Sequence, residues 1–336
     1  TSELERTEAD RHFFVPRRYR DPFHKLDGSW NTETFVDYDA YDLLVRETRD
    51  ALDNQVTIGE RHYVLPDGTV MPEKQGNDYR ILQPRLMMDP NRNRSEVVFD
   101  SLGLVVGTAV MGKPEDTPVK GDLLDEDFKT DLIKVEIDAF YDAVDPQIIA
   151  PDLLLDSTTR IVYDFNRFRL SRIAHSDEPE KWQPVFAATM ARETHASDLG
   201  DEPYSKIQIS FSYSDGFGRE IQKKIQAEKG KVPQRDEQSK IIIGSDNQPV
   251  MSSDENLRWV GSGWTIFNNK GKPVRQFEPF FSDTHKPDFD TKLGVSPVLF
   301  YDPVERVVAT LHPNNTYEKV VFDPWHQASY DVNDTV

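Results

Sequence analysis

Val298-Leu-Phe-Tyr-Asp302, Arg306-Val-Val-Ala309, His312-Pro-Asn-Asn315 and Lys319-Val-Val-Phe-Asp323 succeed one another in the last part of the chain. In order, they read as a strand, a tight turn opened by Asp, a second strand, a polar turn, and the first strand pattern again. β-Branched and aromatic residues suit a pleated, half-buried surface. Asp at the head of a turn can accept hydrogen bonds from the backbone ahead of it. Tyr301 and Phe322, the two aromatics that precede Asp, lie 21 residues apart, so one period holds two strands. Hairpins of this kind, set side by side, build an antiparallel sheet.

The same unit recurs upstream as Thr34-Phe-Val-Asp-Tyr-Asp39, Glu96-Val-Val-Phe-Asp100, Arg160-Ile-Val-Tyr-Asp164, Ser210-Phe-Ser-Tyr-Ser-Asp215 and Trp264-Thr-Ile-Phe-Asn268. The repeat positions are therefore Tyr38 and Asp39, Phe99 and Asp100, Tyr163 and Asp164, Tyr213 and Asp215, Phe267 and Asn268, Tyr301 and Asp302, and Phe322 and Asp323. Gly103, Gly218 and Gly271 stand where a hairpin turn needs positive φ, and Arg219 and Arg306 open the returning strand. A second class of turn, at Asp50-Ala-Leu-Asp-Asn54, Asp89-Pro-Asn-Arg-Asn93 and His312-Pro-Asn-Asn315, links the hairpins. Since the aromatics all sit just before the turn, period-two alternation predicts that Phe99, Tyr163, Tyr213, Phe267, Tyr301 and Phe322 line one face.

Two insertions interrupt the period. Leu124, Phe128, Leu132, Val135, Ala139 and Ala143 fall three or four apart before Asp145-Pro146, which predicts a helix over 122–144. Residues 226–256, rich in Lys, Gln, Ser, Asp and Pro, read as a mobile loop broken by one short strand at Ile241-Ile-Ile243. No linker divides the chain, so 1–336 reads as a single repeat region. The start at Thr1, with no Met, suggests a piece of a longer protein. The fold expected is mainly β, a continuous curved antiparallel sheet of hairpins with one inserted helix.

Composition narrows the function. The chain of 336 residues carries 59 acidic and 40 basic residues, a net charge of -19, which repels phosphate backbones and argues against nucleic acid as a partner. With no Cys, thiolate zinc sites and Cys nucleophiles are excluded. No apolar run reaches the ~18 residues of a membrane helix. His175, His195, His285, His312 and His326 show no metal-ligand spacing, so neither metal nor cofactor is expected. The Asp89–Asn93 stretch places oxygen side chains like the start of a calcium loop but lacks its glycine and distant Glu, and a hairpin turn explains it better. Gly216-Phe-Gly218 and Gly261-Ser-Gly263 lack the spacing of phosphate loops. Trp259, Trp264, Trp325 and the repeat tyrosines could form a sugar-stacking platform, but sheet packing explains them more cheaply. The acidic residues have turn roles, and no nucleophile stands at a recognisable spacing from a base, so no catalytic residue is assigned.

Tyr213-Ser-Asp-Gly-Phe-Gly-Arg219 and Tyr301-Asp-Pro-Val-Glu-Arg306 resemble the RHS or YD repeat. Longer stretches resemble the B component of Tc-type insecticidal toxin complexes and its SpvB-containing relatives. They are Asp78-Tyr-Arg-Ile-Leu-Gln-Pro-Arg85, Phe99-Asp-Ser-Leu-Gly-Leu-Val-Val-Gly107, Phe211 to Lys224, Gly261 to Gln276, and Val295 through Trp325. The resemblance implies a hollow shell of coiled β-sheet that encloses a toxic cargo before translocation, with this chain a non-catalytic, secreted part of the wall. It also implies partners: other shell segments of the same protein, a C-type toxin component, and a pore-forming A component met through domains not seen here. Glu305 departs from the repeat, which has Gly there, and implies a turn either without positive φ or strained. The rival reading is a repeat module that binds a glycan or a cell-surface protein. A hydrolase using turn carboxylates is a third.

Overall fold

The alternation read in the sequence becomes strands because each can bury one face. Along Ile207–Ser214 buried and less buried residues strictly alternate, and the Val185–Arg192 strand alternates likewise as far as Met190. The computed structural model describes residues 2–25, 27, 30–65, 67–236, 240–246, 248–289 and 291–335. The protein is mainly β, with a large antiparallel sheet. Among the described residues, α-helix is confined to Ser2–Arg11, Lys134–Asp142, Ala150–Leu154 and Arg167–Ala174.

The chain forms two compact units where one region is expected. The first comprises Thr1–Glu136, Ile149–Ile161 and Met190–Ile207. Its strands pair antiparallel in the order Arg18–Tyr19, Thr34–Tyr38, Val45–Arg49, Gln55–Glu60, Leu86–Met88, Arg94–Phe99, Val105–Met111 and the start of Thr159–Asp164. Leu86, Ala109 and Met111 make its core, with Leu124 against them. Gly107 pairs with Arg160, and a Cβ on Gly107 would lie 2.3 Å from the Phe128 ring. The ring fills that space, and the buried Arg160 guanidinium stacks on it at 4.3 Å.

The second unit comprises Ile137–Ile148, Val162–Thr189 and Gln208–Val336. In it the Ile207–Ser214 strand from Gln208 onward, Glu220–Gly230, Asn256–Gly261 and Phe280–Ser282 pair in that order. A hairpin, Thr265–Phe267 with Pro273–Gln276, precedes a meander of Val298–Tyr301, Val307–Leu311, Tyr317–Phe322 and Gln327–Tyr330. The core is aromatic: Phe140 and Tyr141 on one helix, then Phe186, Phe211, Tyr213 and Trp259. Tyr141 stacks on Phe186 at 4.7 Å and Phe140 on Phe211 at 5.6 Å. Each such pair adds about 0.5–1.5 kcal/mol beyond the area it buries.

Three expectations need correction. The helix over 122–144 shrinks to Lys134–Asp142. Residues ahead of it run irregularly, because Leu124 packs on the core and Phe128 must lie over Gly107, contacts that one straight helix does not supply. Residues 226–256 are more than a loop with one short strand. The Glu220–Gly230 strand enters them, and bridges join Pro233 to Met251, Arg235 to Ile241 and Ile243 to Pro249. Residues 237–239 and 247 of that segment lie outside the described ones. Finally, the six aromatics do not share one environment. Phe99 and Tyr213 are buried, whereas Tyr163, Phe267, Tyr301 and Phe322 are only half-buried. In the Thr159–Asp164 strand it is Val162 and Asp164 that are buried, so alternation sends Tyr163 to the opposite side, where it stacks on Phe165 at 5.4 Å.

Candidate functional site

The repeated turn is one geometry used many times. At Asp100, Oδ1 accepts the N–H groups of Leu102 and Leu104 at 2.9 and 2.8 Å, while Gly103 N–H donates to Asp100 O. Asn268 repeats this with Lys270, Lys272 and Gly271, and Asp302 with Val304, Arg306 and Glu305. Asp39 holds the N–H groups of Tyr41 and Leu43 in the same way. The fourth residue is left-handed: Gly103 at φ 81°, Gly271 at 80° and Glu305 at 69°. Glu305 therefore takes the strained alternative. Sequence reading separated the linking turns, but Asp50 caps its turn identically and Asp89 accepts the Asn93 N–H of its own, with Asp53 at φ 67° and Arg92 at 72° in the fourth position. Strand register shifts beside the repeat aromatic at Tyr38, Phe99, Tyr213, Phe267 and Tyr301. A type I turn closed by a left-handed bulge residue produces that shift.

Two repeats depart. Asp164 does not open a hairpin; its strand is followed by the Arg167–Ala174 helix, and its Oδ2 accepts Arg167 Nε at 2.9 Å. Asp323 closes a shorter turn, accepting the N–H groups of Trp325 and His326. These N–H groups hold the Asp323 carboxyl below the usual carboxylate range. At Asp215 and Asp302 burial pushes the carboxyl up, but the turn N–H groups and the following Arg outweigh it and the net shift is downward.

The repeat arginine joins neighbouring hairpins. Arg219 pairs with Asp215 of its own turn, and its guanidinium lies 5.0 Å from the Phe267 ring of the next repeat. Arg306 does the same, with Asp302 at 2.8 Å and the Phe322 ring at 4.0 Å. Tyr301 Oη donates to Pro273 O at 2.7 Å, back to the preceding hairpin. Aromatic, Asp and Arg thus form a relay from hairpin to hairpin. Sequence patterning found the residues but not this linkage.

Sequence reasoning missed the polar cluster inside the second unit. Lys224, fully buried, donates to Asp288 Oδ2 at 2.5 Å, Ser282 Oγ donates to the same oxygen at 3.0 Å, and Arg235 donates to Oδ1 at 2.7 Å. Burial pushes the Asp288 carboxyl up, but these two cations hold it below the usual range. Gln222 clasps the Asp288 backbone through both its N–H and its carbonyl. Tyr213 Oη donates to His285 O at 2.8 Å, and His285 Nε2 donates to Tyr141 O at 2.7 Å. Arg167 spans Asp164, Asp138 and Gln183 under the Tyr141 ring. A Lys among strand residues was the available signal, yet nothing in the sequence marked Lys224 as buried.

In the first unit Asp122 is fully buried and accepts from Thr158 Oγ1, His195 Nδ1 and Ala196 N–H. His195 lies at a 3-10 turn and not on a strand. His175, His312 and His326 each face a nearby carboxylate, at 3.2, 3.4 and 3.3 Å. The tryptophans form no shared platform: Trp259 is buried, Trp264 meets Phe289 edge-on, and Trp325 stands exposed on a turn. Among the described residues no group of three or more His, Asp or Glu is placed to hold a metal, and no helix is long and apolar enough to cross a membrane.

No family model matches the chain, and no curated protein is similar to it. Solved structures are. TcdB2-TccC3-TEV matches at a TM-score of 0.64 and 19% identity, over 96% of this chain and 15% of that one. TcdB2-TccC3 without its hypervariable C-terminal region gives 0.61 and 20%, over 90% and 15%. A Photorhabdus luminescens Tc holotoxin pore gives 0.62 and 18%, over 99% and 17%. This chain spans less than a fifth of the length of each of those chains. Likeness at such identities fixes the fold, and the fold is that found in Tc toxin chains.

Proposed function

We propose that this chain is a wall segment of a toxin-complex shell, secreted as part of a bacterial assembly, which encloses a toxic cargo and carries out no catalysis itself. The observation that carries the reading is the fold match over nearly the whole chain to TcdB2-TccC3 structures. The hairpin relay through Arg219 and Arg306 supports it, since it lets a sheet extend by adding repeats. The partners proposed are further shell segments of the same protein, a C-type toxin component, and a pore-forming A component. The test is protease protection of a C-type component co-expressed with the protein in its natural length. A cargo that survives protease until the shell is denatured supports enclosure. A cargo digested at the rate of the free C component overturns it.

A second reading has one observation in its favour: Phe217 and Trp325 stand 85% and 87% exposed on turn tips. Such tips suit a glycan or protein contact. Binding on a glycan array that is lost in a Phe217→Ala, Trp325→Ala double variant would favour it over the shell.

A further inference from the structure

We propose that residues 282–289 of the second unit form an acid-released strap, with His285 as its trigger. The strap carries four attachments. Ser282 and Asp288 bind each other, Lys224 donates to Asp288 and Arg235 to both, Gln222 clasps the Asp288 backbone, and Tyr213 holds His285 O. At the centre the His285 ring is 2% exposed, stacked on Phe211 at 4.7 Å and flanked by Tyr141 and Trp259.

Among the described residues the ring has one hydrogen-bond partner. Tyr141 O can only accept, so Nε2 carries the proton, and Nδ1 is a buried lone pair with no donor. That arrangement suits the neutral imidazole alone. Protonation adds an N–H at Nδ1 with nothing to receive it, inside an aromatic enclosure that excludes water. The surrounding charges oppose the cation as well. Glu220–Gly230 contributes Lys224 and the strap contributes Lys286, and both disfavour the charge. Asp142, on the Lys134–Asp142 helix, favours it but is mostly exposed. Tyr141 and Tyr213 offer phenols pushed far above neutrality by burial, so neither supplies an anion. Asp288 already serves two cations, which hold its carboxyl below the usual range, and Asp283 at the strap's edge pairs with Arg235 away from the ring. Burial drives the imidazole down to about 4. Acid therefore selects the state in which the ring reaches water, and the four attachments are lost with it.

The experiment is hydrogen exchange of residues 282–289 from pH 7 to pH 4, corrected for intrinsic rates, on wild type, His285→Gln and His195→Gln. Gln keeps a donor for Tyr141 O and does not titrate. Wild type and the His195→Gln control should lose protection about a hundredfold by pH 4, tenfold for each unit that the two states' affinities for a proton differ. His285→Gln should stay flat. Equal loss in His285→Gln, or no loss in wild type, overturns the proposal. If His285→Gln fails to fold, proton NMR titration of the wild-type imidazole decides: a midpoint near the ordinary value of about 6.5 contradicts a buried trigger.

Discussion

At the scale of single residues, the turns and the aromatic core make the sharpest predictions. Glu305 holds φ 69°, where an L-residue is strained by roughly 1–2 kcal/mol. Its ion pair with Lys272, at 3.0 Å and half-exposed, is worth about 0.5 kcal/mol or less. Strain is the larger effect, so Glu305→Gly should raise stability by roughly 0.5–1 kcal/mol in urea titration; a loss would show that the ion pair governs the turn. Tyr163 stands one residue before its turn Asp and Tyr213 two, and only Tyr213 is fully buried. Tyr213→Ala should cost about 3–5 kcal/mol, and Tyr163→Ala less than half as much. Equal losses would restore the shared face that alternation alone suggests. The contrast has a structural cause. Asp164 turns inward to hold Arg167, and period two then places Tyr163 on the other side.

At the scale of the element, the hairpin is defined by its cap. Asp100 accepts two backbone N–H groups, so Asp100→Ala should cost about 1–2 kcal/mol and should speed exchange of the Leu102 and Leu104 amides. Exchange unchanged at those amides would mean that the Gly103 backbone alone sets the turn. Arg306→Gln should loosen the Tyr317–Phe322 strand, whose Phe322 ring the guanidinium covers, more than the Val298–Tyr301 strand; equal loosening would deny the relay. The turn chemistry was legible in the sequence because Asp, Gly and the aromatic each have a local physical role. The Lys134–Asp142 helix was legible only in part. Leu124 and Phe128 share its spacing by coincidence, and their tertiary partners, the Leu86 cluster and Gly107, are far away in sequence. The Lys224–Asp288 pair was not legible, since sixty-four residues separate its members and no local pattern marks either as buried.

At the scale of the whole molecule, strand edges and enclosure decide the behaviour. The Gln327–Tyr330 strand pairs with Tyr317–Phe322, and all four of its residues are exposed. A free edge offers unpaired N–H and C=O groups to another strand, while the net charge of -19 keeps copies apart. Light scattering over a salt series should therefore show association rising as screening grows. A strict monomer at high salt would mean that the edge is protected and would favour the binding-module reading. The central claim, that this chain walls a chamber, is tested most directly by cryo-electron microscopy of the natural-length protein assembled with a C-type component. The account predicts residues 34–330 within the wall of a closed shell, with separate density enclosed behind it. A compact particle with no internal space, or these hairpins standing free in solvent on both faces, would contradict it.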